Sequence, residues 1–339
     1  MSRSSTLASG FTSTMAADFS ATAGVLVMGA GAIGCYVGGK LALAGIDVHF
    51  VGRPQRLRVL RERGLTVSEP DRVLGTIPPE RLSLHEEPVA GLGTALALLC
   101  VKSGATAAAA AQLQAALPSG MPVLSLQNGL HNAELAQDAA PDLRVLAGMV
   151  PYNIAEIAPG HFLRGSSGRI ALQDDALTRK WVDVLRAAGL PALACPDMRA
   201  VQWAKLLLNL NNPVNALSGL PLRAQLLRRE LRLQTADLMA EALGLLAAAG
   251  QPLARLTPVP PRWIPAVMRL PTPLFRFVAG RMLKVDPRAR SSMADDFALG
   301  RPTEIDALCG EVVRLARSLR REAPLNAAMM RRVEAATRR

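Results

Sequence analysis

The chain has 339 residues, of which half are hydrophobic and 19% charged. That balance excludes a disordered chain and leaves length for two domains with cores of their own. The formal charge of +12 sits in residues 151–339, which carry 28 basic against 16 acidic residues, and it suits an anionic substrate. Three Trp, two Tyr and the lack of a dense basic run speak against a nucleic-acid partner.

Residues 1–23 are rich in Ser, Thr and Ala without periodicity and are expected to form a flexible tail, with Met15 an alternative start. They lack the basic region and apolar core of a signal peptide. Gly24–Gly45 holds a single charge, Lys40, but six of its first sixteen residues are glycine, so no membrane span is expected. The four cysteines, Cys35, Cys100, Cys195 and Cys309, form no CxxC or metal-ligand pattern, which points to the reducing cytoplasm.

Val25-Leu26-Val27-Met28 reads as a short buried strand running into Gly29-Ala30-Gly31-Ala32-Ile33-Gly34 and a helix over Ala32–Ala44. In this strand–turn–helix context Gly29 allows the turn and Gly31 clears the approach of a pyrophosphate. Gly34 lets the helix lie close on the strand, and the helix N-terminus faces the phosphates. After the next strand, Asp47–Val51, an NAD site usually carries an acidic residue. Here the chain reads Gly52-Arg53-Pro54-Gln55-Arg56, and a guanidinium at Arg53 suits the 2′-phosphate of NADP(H). Arg53 and Arg56 also fit the start of a solvated helix, since Arg58, Arg61 and Arg63 follow.

The alternation continues with a hairpin in Leu65–Ile77, a strand Ala95–Val101, a helix Ala105–Leu117, a strand Val123–Gln127, a helix after His131 and a strand Val145–Val150. Gly160–Leu172 reads as a hairpin at the sheet edge. This is the pattern of an α/β fold with an N-terminal Rossmann-type, doubly wound parallel sheet over residues 24–175. From residue 176 to 339 an all-helical domain is expected, with helices Ala176–Ala188, Met198–Leu217 and Arg229–Ala249 and helical pattern again from Ser291 to the end. Gln251–Pro273 holds seven prolines and is expected to shape a wall or lid. The reaction is expected in the cleft between the two parts.

Only five of the 39 basic residues are lysines. Lys205 lies in an apolar helix, and Lys205, Asn209 and Asn212 follow i, i+4, i+7 on one face. Such a stripe either bonds a neighbouring helix or lines a pocket with an ammonium and two amides. In a pocket, the ammonium suits hydride reduction of a keto carbon: it stabilises the charge left on oxygen and supplies the proton. Farther on, Pro302 marks a helix start that would put Glu304 in a first turn, facing inward.

The glycine turn, Lys102 after Leu99-Cys100-Val101, Gln127-Asn128-Gly129, Trp203-x-Lys205-Leu206-x-x-Asn209, Ser291-Ser292-Met293 and Thr303-Glu304-Ile305-Asp306 occur in this order. Together they resemble the ketopantoate reductase (2-dehydropantoate 2-reductase) family over about residues 24–335. The resemblance implies NADPH-dependent reduction of a 2-keto acid to a 2-hydroxy acid, as in pantothenate biosynthesis. It implies Lys205 as general acid and Glu304 as a catalytic residue holding the substrate hydroxyl or the nicotinamide ribose. Asn128, Asn209, Asn212 and Ser292 would bind substrate. Lys102, Asn128 and the backbone of Ile154 would lie beside the cofactor. Where that family carries an Asn three residues before the second serine, this chain has Ala289, with Arg290 beside it as a candidate carboxylate clamp. The pocket is therefore expected to be altered, and a different bulky 2-keto acid stays open as substrate. A non-catalytic NADPH-sensing protein is the reading from another class. The expected partner is a small anionic keto acid, with no nucleic acid or membrane; a homodimer is left open.

Overall fold

The computed structural model describes residues 24–280, 283 and 289–337; the expected tail over 1–23 lies outside them. Strand β1 (Gly24–Met28) is wholly buried and leads through the glycine turn into helix α1 (Ala32–Leu43). Next come β2 (Val48–Val51), α2 (Pro54–Arg63), the hairpin β3 (Leu65–Glu69) and β4 (Arg72–Ile77), then β5 (Ser83–His85) and β6 (Thr94–Leu99). After α3 (Thr106–Ala116), β7 (Pro122–Ser125), α4 (Asn132–Ala139) and β8 (Arg144–Met149) the chain forms β9 (Ile154–Ala158), β10 (His161–Arg164) and β11 (Ile170–Gln173). Helix α5 (Ala176–Ala187) and β12 (Ala192–Cys195) follow.

Eight strands make one sheet in the order β12-β11-β8-β7-β6-β1-β2-β5, parallel except where β11 meets β8. Apolar residues cover both faces, as a parallel sheet needs. The sheet runs past the expected division at 175/176, because β12 pairs with β11 and α5 packs against both.

A second, four-stranded sheet, β4-β3-β10-β9, lies against α1. It corrects the expected hairpin over Gly160–Leu172. Those residues split between the two sheets: β10 pairs with β3 and β9, whereas β11 pairs with β8 and β12. The glycines between them, Gly165 and Gly168, sit in the crossing loop.

The rest is helical: α6 (Met198–Asn209), α7 (Asn211–Ser218), α8 (Leu222–Leu227), the long α9 (Arg229–Ala248), α10 (Ile264–Arg269), α11 (Thr272–Val278), α12 (Ser292–Ala298), α13 (Glu311–Ser318) and α14 (Pro324–Thr337). The single helix expected over Met198–Leu217 breaks at Leu210. Pro213 has no N–H for the carbonyl of Asn209, so α6 ends there and α7 starts in a new direction.

The proline-rich segment packs beside α6 and lines neither of the clefts described below. Ala254 and Leu256 pack on Met198 and Val201 of α6, and the Ala254 N–H donates to the Ala200 carbonyl at 3.1 Å. Its far end is pinned by Arg232 of α9, which is fully buried. The guanidinium donates to the carbonyls of Leu226, Met268 and Leu270 and lies 4.2 Å over the Phe275 ring. Among the described residues, no helix is long and apolar enough to cross a membrane.

Candidate active site

The site is built at the carboxyl ends of the parallel strands, where such sheets bind ligands. Gly29 has φ +113°, and a Cβ there would stand 2.8 Å from the backbone of Cys100 and Val101 at the end of β6. A Cβ on Gly34 would collide with the Gly29 carbonyl. Around Gly31 there is no atom within 4 Å of where a Cβ would be, and no side chain caps the N-terminus of α1. Ala30, Ala32 and Ile33 complete the turn, with Gly31 exposed between them. Open space, free N–H groups and the positive end of the dipole together fit a pyrophosphate.

Arg53 is exposed at the N-cap of α2, directly after β2. Arg56, one turn on, is taken: its guanidinium forms a two-pronged pair with Glu156 of β9 at 2.5 and 2.6 Å. The two arginines read together in the sequence therefore have different surroundings.

Beyond β7, Gln127 fixes the next loop. Its Nε2 donates to the Val101 carbonyl at 2.9 Å and to Thr106 Oγ1 at 2.7 Å. Asn132 Nδ2 donates to the Asn128 carbonyl at 2.5 Å. Asn128 thereby presents its side-chain amide to the cleft, where Nδ2 donates to Glu304 Oε2 at 3.3 Å, while Ser103 Oγ donates to Oε1 at 3.3 Å.

Glu304 does not lie in a helical first turn, as expected from Pro302. It sits in the irregular approach to a π-turn over Asp306–Gly310 that feeds α13. Gly310 closes this turn in ordinary helical conformation, and a Cβ there would come 2.5 Å from Asp306 Oδ1.

Lys205 and Asn209 of α6 line a cleft of about 290 Å³ together with Gln127, Asn128, Gly148 and Gln202. Lys205 Nζ donates to the Pro151 carbonyl at 3.1 Å. Burial, with no charged neighbour opposing it, pulls the Lys205 ammonium down to about 8. Next to this cleft a second one, of about 230 Å³, is lined by Asn128, Asn209, Asn212, Ser292, Asp296 and Glu304. Asn128 and Asn209 belong to both. The polar stripe of the sequence is thus real but divided, because the break at Leu210 turns Asn212 into the second cleft.

Ser292 opens α12 behind the N-cap Ser291, whose Oγ accepts from the Ala294 N–H at 3.2 Å. Lys102 pairs at 2.6 Å with Oδ1 of Asp296, which lines the second cleft, and donates to the Pro302 carbonyl at 3.4 Å. Ile154 begins β9 with its side chain in the core, which leaves only its backbone for contact with a ligand. Arg290 stands 3.9 Å from Asp295, its buried Nε without a hydrogen bond, and it does not line either cleft.

Sequence reasoning missed Ser103, Gln202, Asp296 and the Pro151 carbonyl. Gln202 was open to discovery, one turn before Lys205 on the same face. A main-chain carbonyl leaves no trace in residue types.

A sheet that offers a bare helix end to a dinucleotide, facing a half-buried lysine and a set of amides, defines an oxidoreductase acting on CH–OH groups with a nicotinamide cofactor. Comparison narrows the class. The model of the ketopantoate reductase PanE/ApbA family matches residues 25–176, and its C-terminal model matches 197–337. The crystal structure of a PanE/ApbA family ketopantoate reductase from Ralstonia eutropha superposes with a TM-score of 0.76 at 30% identity, over 92% of this chain and 98% of that one. The 2-dehydropantoate 2-reductase of Mesorhizobium japonicum is 28% identical over 88% of this chain and 93% of its own. That of Halobacterium salinarum is 31% identical, over 58% of this chain and 65% of its own. The chain belongs to the ketopantoate reductase PanE/ApbA family.

Proposed function

We propose that this protein reduces a 2-keto acid to the 2-hydroxy acid with NADPH, with 2-dehydropantoate as the leading substrate and pantothenate biosynthesis as the setting. One observation carries the reading: a half-buried ammonium shares a cleft with two amides, beside a carboxylate held by Ser103 and Asn128.

When bound, NADPH would supply the hydride that C2 of the keto acid receives. Lys205 holds the proton at Nζ and passes it to the keto oxygen, whose developing charge the same ammonium stabilises. With its affinity lowered by burial, the ammonium gives up that proton near neutral pH more readily than an exposed lysine. Asn128 and Asn209 face both clefts and orient the reacting centre, while Asn212, Ser292 and Glu304 hold the remainder of the substrate. Gly29–Gly34 would hold the pyrophosphate, Arg53 the 2′-phosphate, and the Ile154 backbone and Lys102 would lie beside the cofactor. Functionally the chain divides after Cys195, where the sheet ends. Four free thiols accord with action in the cytoplasm.

A different bulky 2-keto acid is the second reading, favoured by Ala289 where the resembling family carries an Asn. A panel of 2-keto acids assayed by NADPH oxidation tests both. Lys205→Ala should lower the rate on the best substrate by at least about a hundredfold, the scale of a lost general acid. An unchanged rate removes Lys205 from the reaction, and NADPH binding without turnover on any keto acid would leave a sensor.

A further inference from the structure

The Lys205 ammonium is referenced to the protein through one carbonyl, and that carbonyl is fixed by a loop on the other side of the chain crossing. Pro151 accepts from Lys205 Nζ; its ring fixes φ but not ψ, so the direction of its carbonyl depends on how the ring and the residues that follow are held. The ring lies directly on Gly168. A Cβ at Gly168 would stand 2.6 Å from Pro151 Cγ and 2.7 Å from its Cβ.

Two residues on, Asn153 is held three ways. Its N–H donates to Ser166 Oγ at 3.0 Å, its carbonyl accepts from the Gly165 N–H at 2.8 Å, and its Nδ2 donates to the Arg290 carbonyl at 2.9 Å. That last bond ties the same short segment to the residues leading into Ser291 and Ser292.

We propose that the loop over residues 165–168 is a positioning element for the reaction, in which Gly168 and Ser166 seat Pro151–Asn153 so that the Pro151 carbonyl keeps the Lys205 ammonium at the cleft. The proposal rests on Lys205 as the general acid. None of the loop residues lines either cleft, so they act through Pro151 and Asn153 and do not touch substrate. The same anchor serves Ser292 through Arg290, which gives the acid and the substrate-holding serine a common reference.

The test uses Gly168→Ala and Ser166→Ala in the full chain, with kcat, KM for the keto acid, the Kd of NADPH by fluorescence and the pH profile of kcat. A displaced ammonium lowers kcat roughly tenfold or more in Gly168→Ala, since a shift of about 1 Å can cost about a hundredfold. The NADPH Kd changes by much less than kcat, because the glycine turn and Arg53 are untouched and only the neighbouring Ile154 backbone is near the displaced segment. The basic limb of the profile moves to higher pH, because an ammonium released toward water regains its ordinary affinity for the proton. Ser166→Ala moves each quantity the same way, by less. Folded variants with the wild-type kcat and an unmoved limb overturn the proposal. So does a loss of kcat in step with NADPH affinity, which would mark a merely structural role. If Gly168→Ala does not fold, Ser166→Ala decides by the same criteria. Lys205→Met separates the two levels. Full activity in that variant defeats the acid assignment itself, whereas an inactive Lys205→Met beside silent loop variants defeats only the loop.

Discussion

Lys205 Nζ and the Pro151 carbonyl stand 3.1 Å apart, joining the helix that carries the ammonium to the link between β8 and β9. A charge in this place is bought with stability. The unfolded chain holds the lysine proton up to pH 10.5, while the folded protein releases it at about 8. Between those values the unfolded state binds more protons, so stability rises with pH across that window. Lys205→Met should therefore be more stable than wild type at pH 7, by about 2 kcal/mol after allowing for the lost hydrogen bond. The advantage should shrink as pH rises from 8 and be gone above about 10.5. Thermal unfolding of both proteins at pH 7 and pH 10 checks this; a less stable variant at pH 7 would contradict the burial penalty.

Arg53 and Arg56 differ in what they are free to hold. Glu156 occupies both prongs of Arg56, whereas Arg53 stands exposed at the start of α2. Arg53→Ala should weaken NADPH binding by roughly tenfold or more, the worth of a charge-assisted phosphate contact, and leave NADH within about twofold. Titration of both cofactors by fluorescence measures the ratio. Equal losses would place the 2′-phosphate elsewhere.

The glycine turn is readable because its spacing is local: Gly34 answers a collision with the Gly29 carbonyl and Gly31 an opening, although Gly29 also clears the distant backbone of Cys100 and Val101. The Lys205–Asn209 face was readable for the same reason, since helical spacing alone sets it. Distant partners broke the reading. The split of Gly160–Leu172 depends on β10 finding β3, about ninety residues earlier, which no local pattern encodes. Pro302 points to a helix start just before Glu304, but the turn that forms begins at Asp306 and is of the wide type. Asn212 was assigned to the right polar set, yet Pro213 beside it turned the chain and moved it into a neighbouring cleft.

Arg232 gives the proline-rich segment its anchor. Three main-chain carbonyls and the Phe275 ring surround its guanidinium, and among the described residues no carboxylate bonds it. Arg232→Met would leave those carbonyls buried and unpaired, at about 1–3 kcal/mol each, so a loss of at least about 3 kcal/mol is expected. Arg232→Lys should rescue little, because a compact ammonium lacks the planar fork that meets several acceptors at once. Denaturant titration gives the loss. A variant within about 1 kcal/mol of wild type would mean that the segment holds without its pin.

Lys102 and Asp296, which lines the second cleft, form a bridge from the end of β6 to α12. Lys102 is 49% exposed and Asp296 13%, so water and salt screen the pair from one side and its worth is at most about 1 kcal/mol. Its effect should appear as coupling between the two residues. Lys102→Met and Asp296→Asn should each lower kcat/KM for the keto acid by about fivefold, and the double variant should lose little more than either alone. Raising the salt to about 0.5 M should narrow the gap between wild type and each single variant, since screening weakens the bridge before any residue is changed. Losses that multiply in the double variant, or a gap that salt leaves unmoved, would show Lys102 and Asp296 acting separately, each on its own ligand atoms.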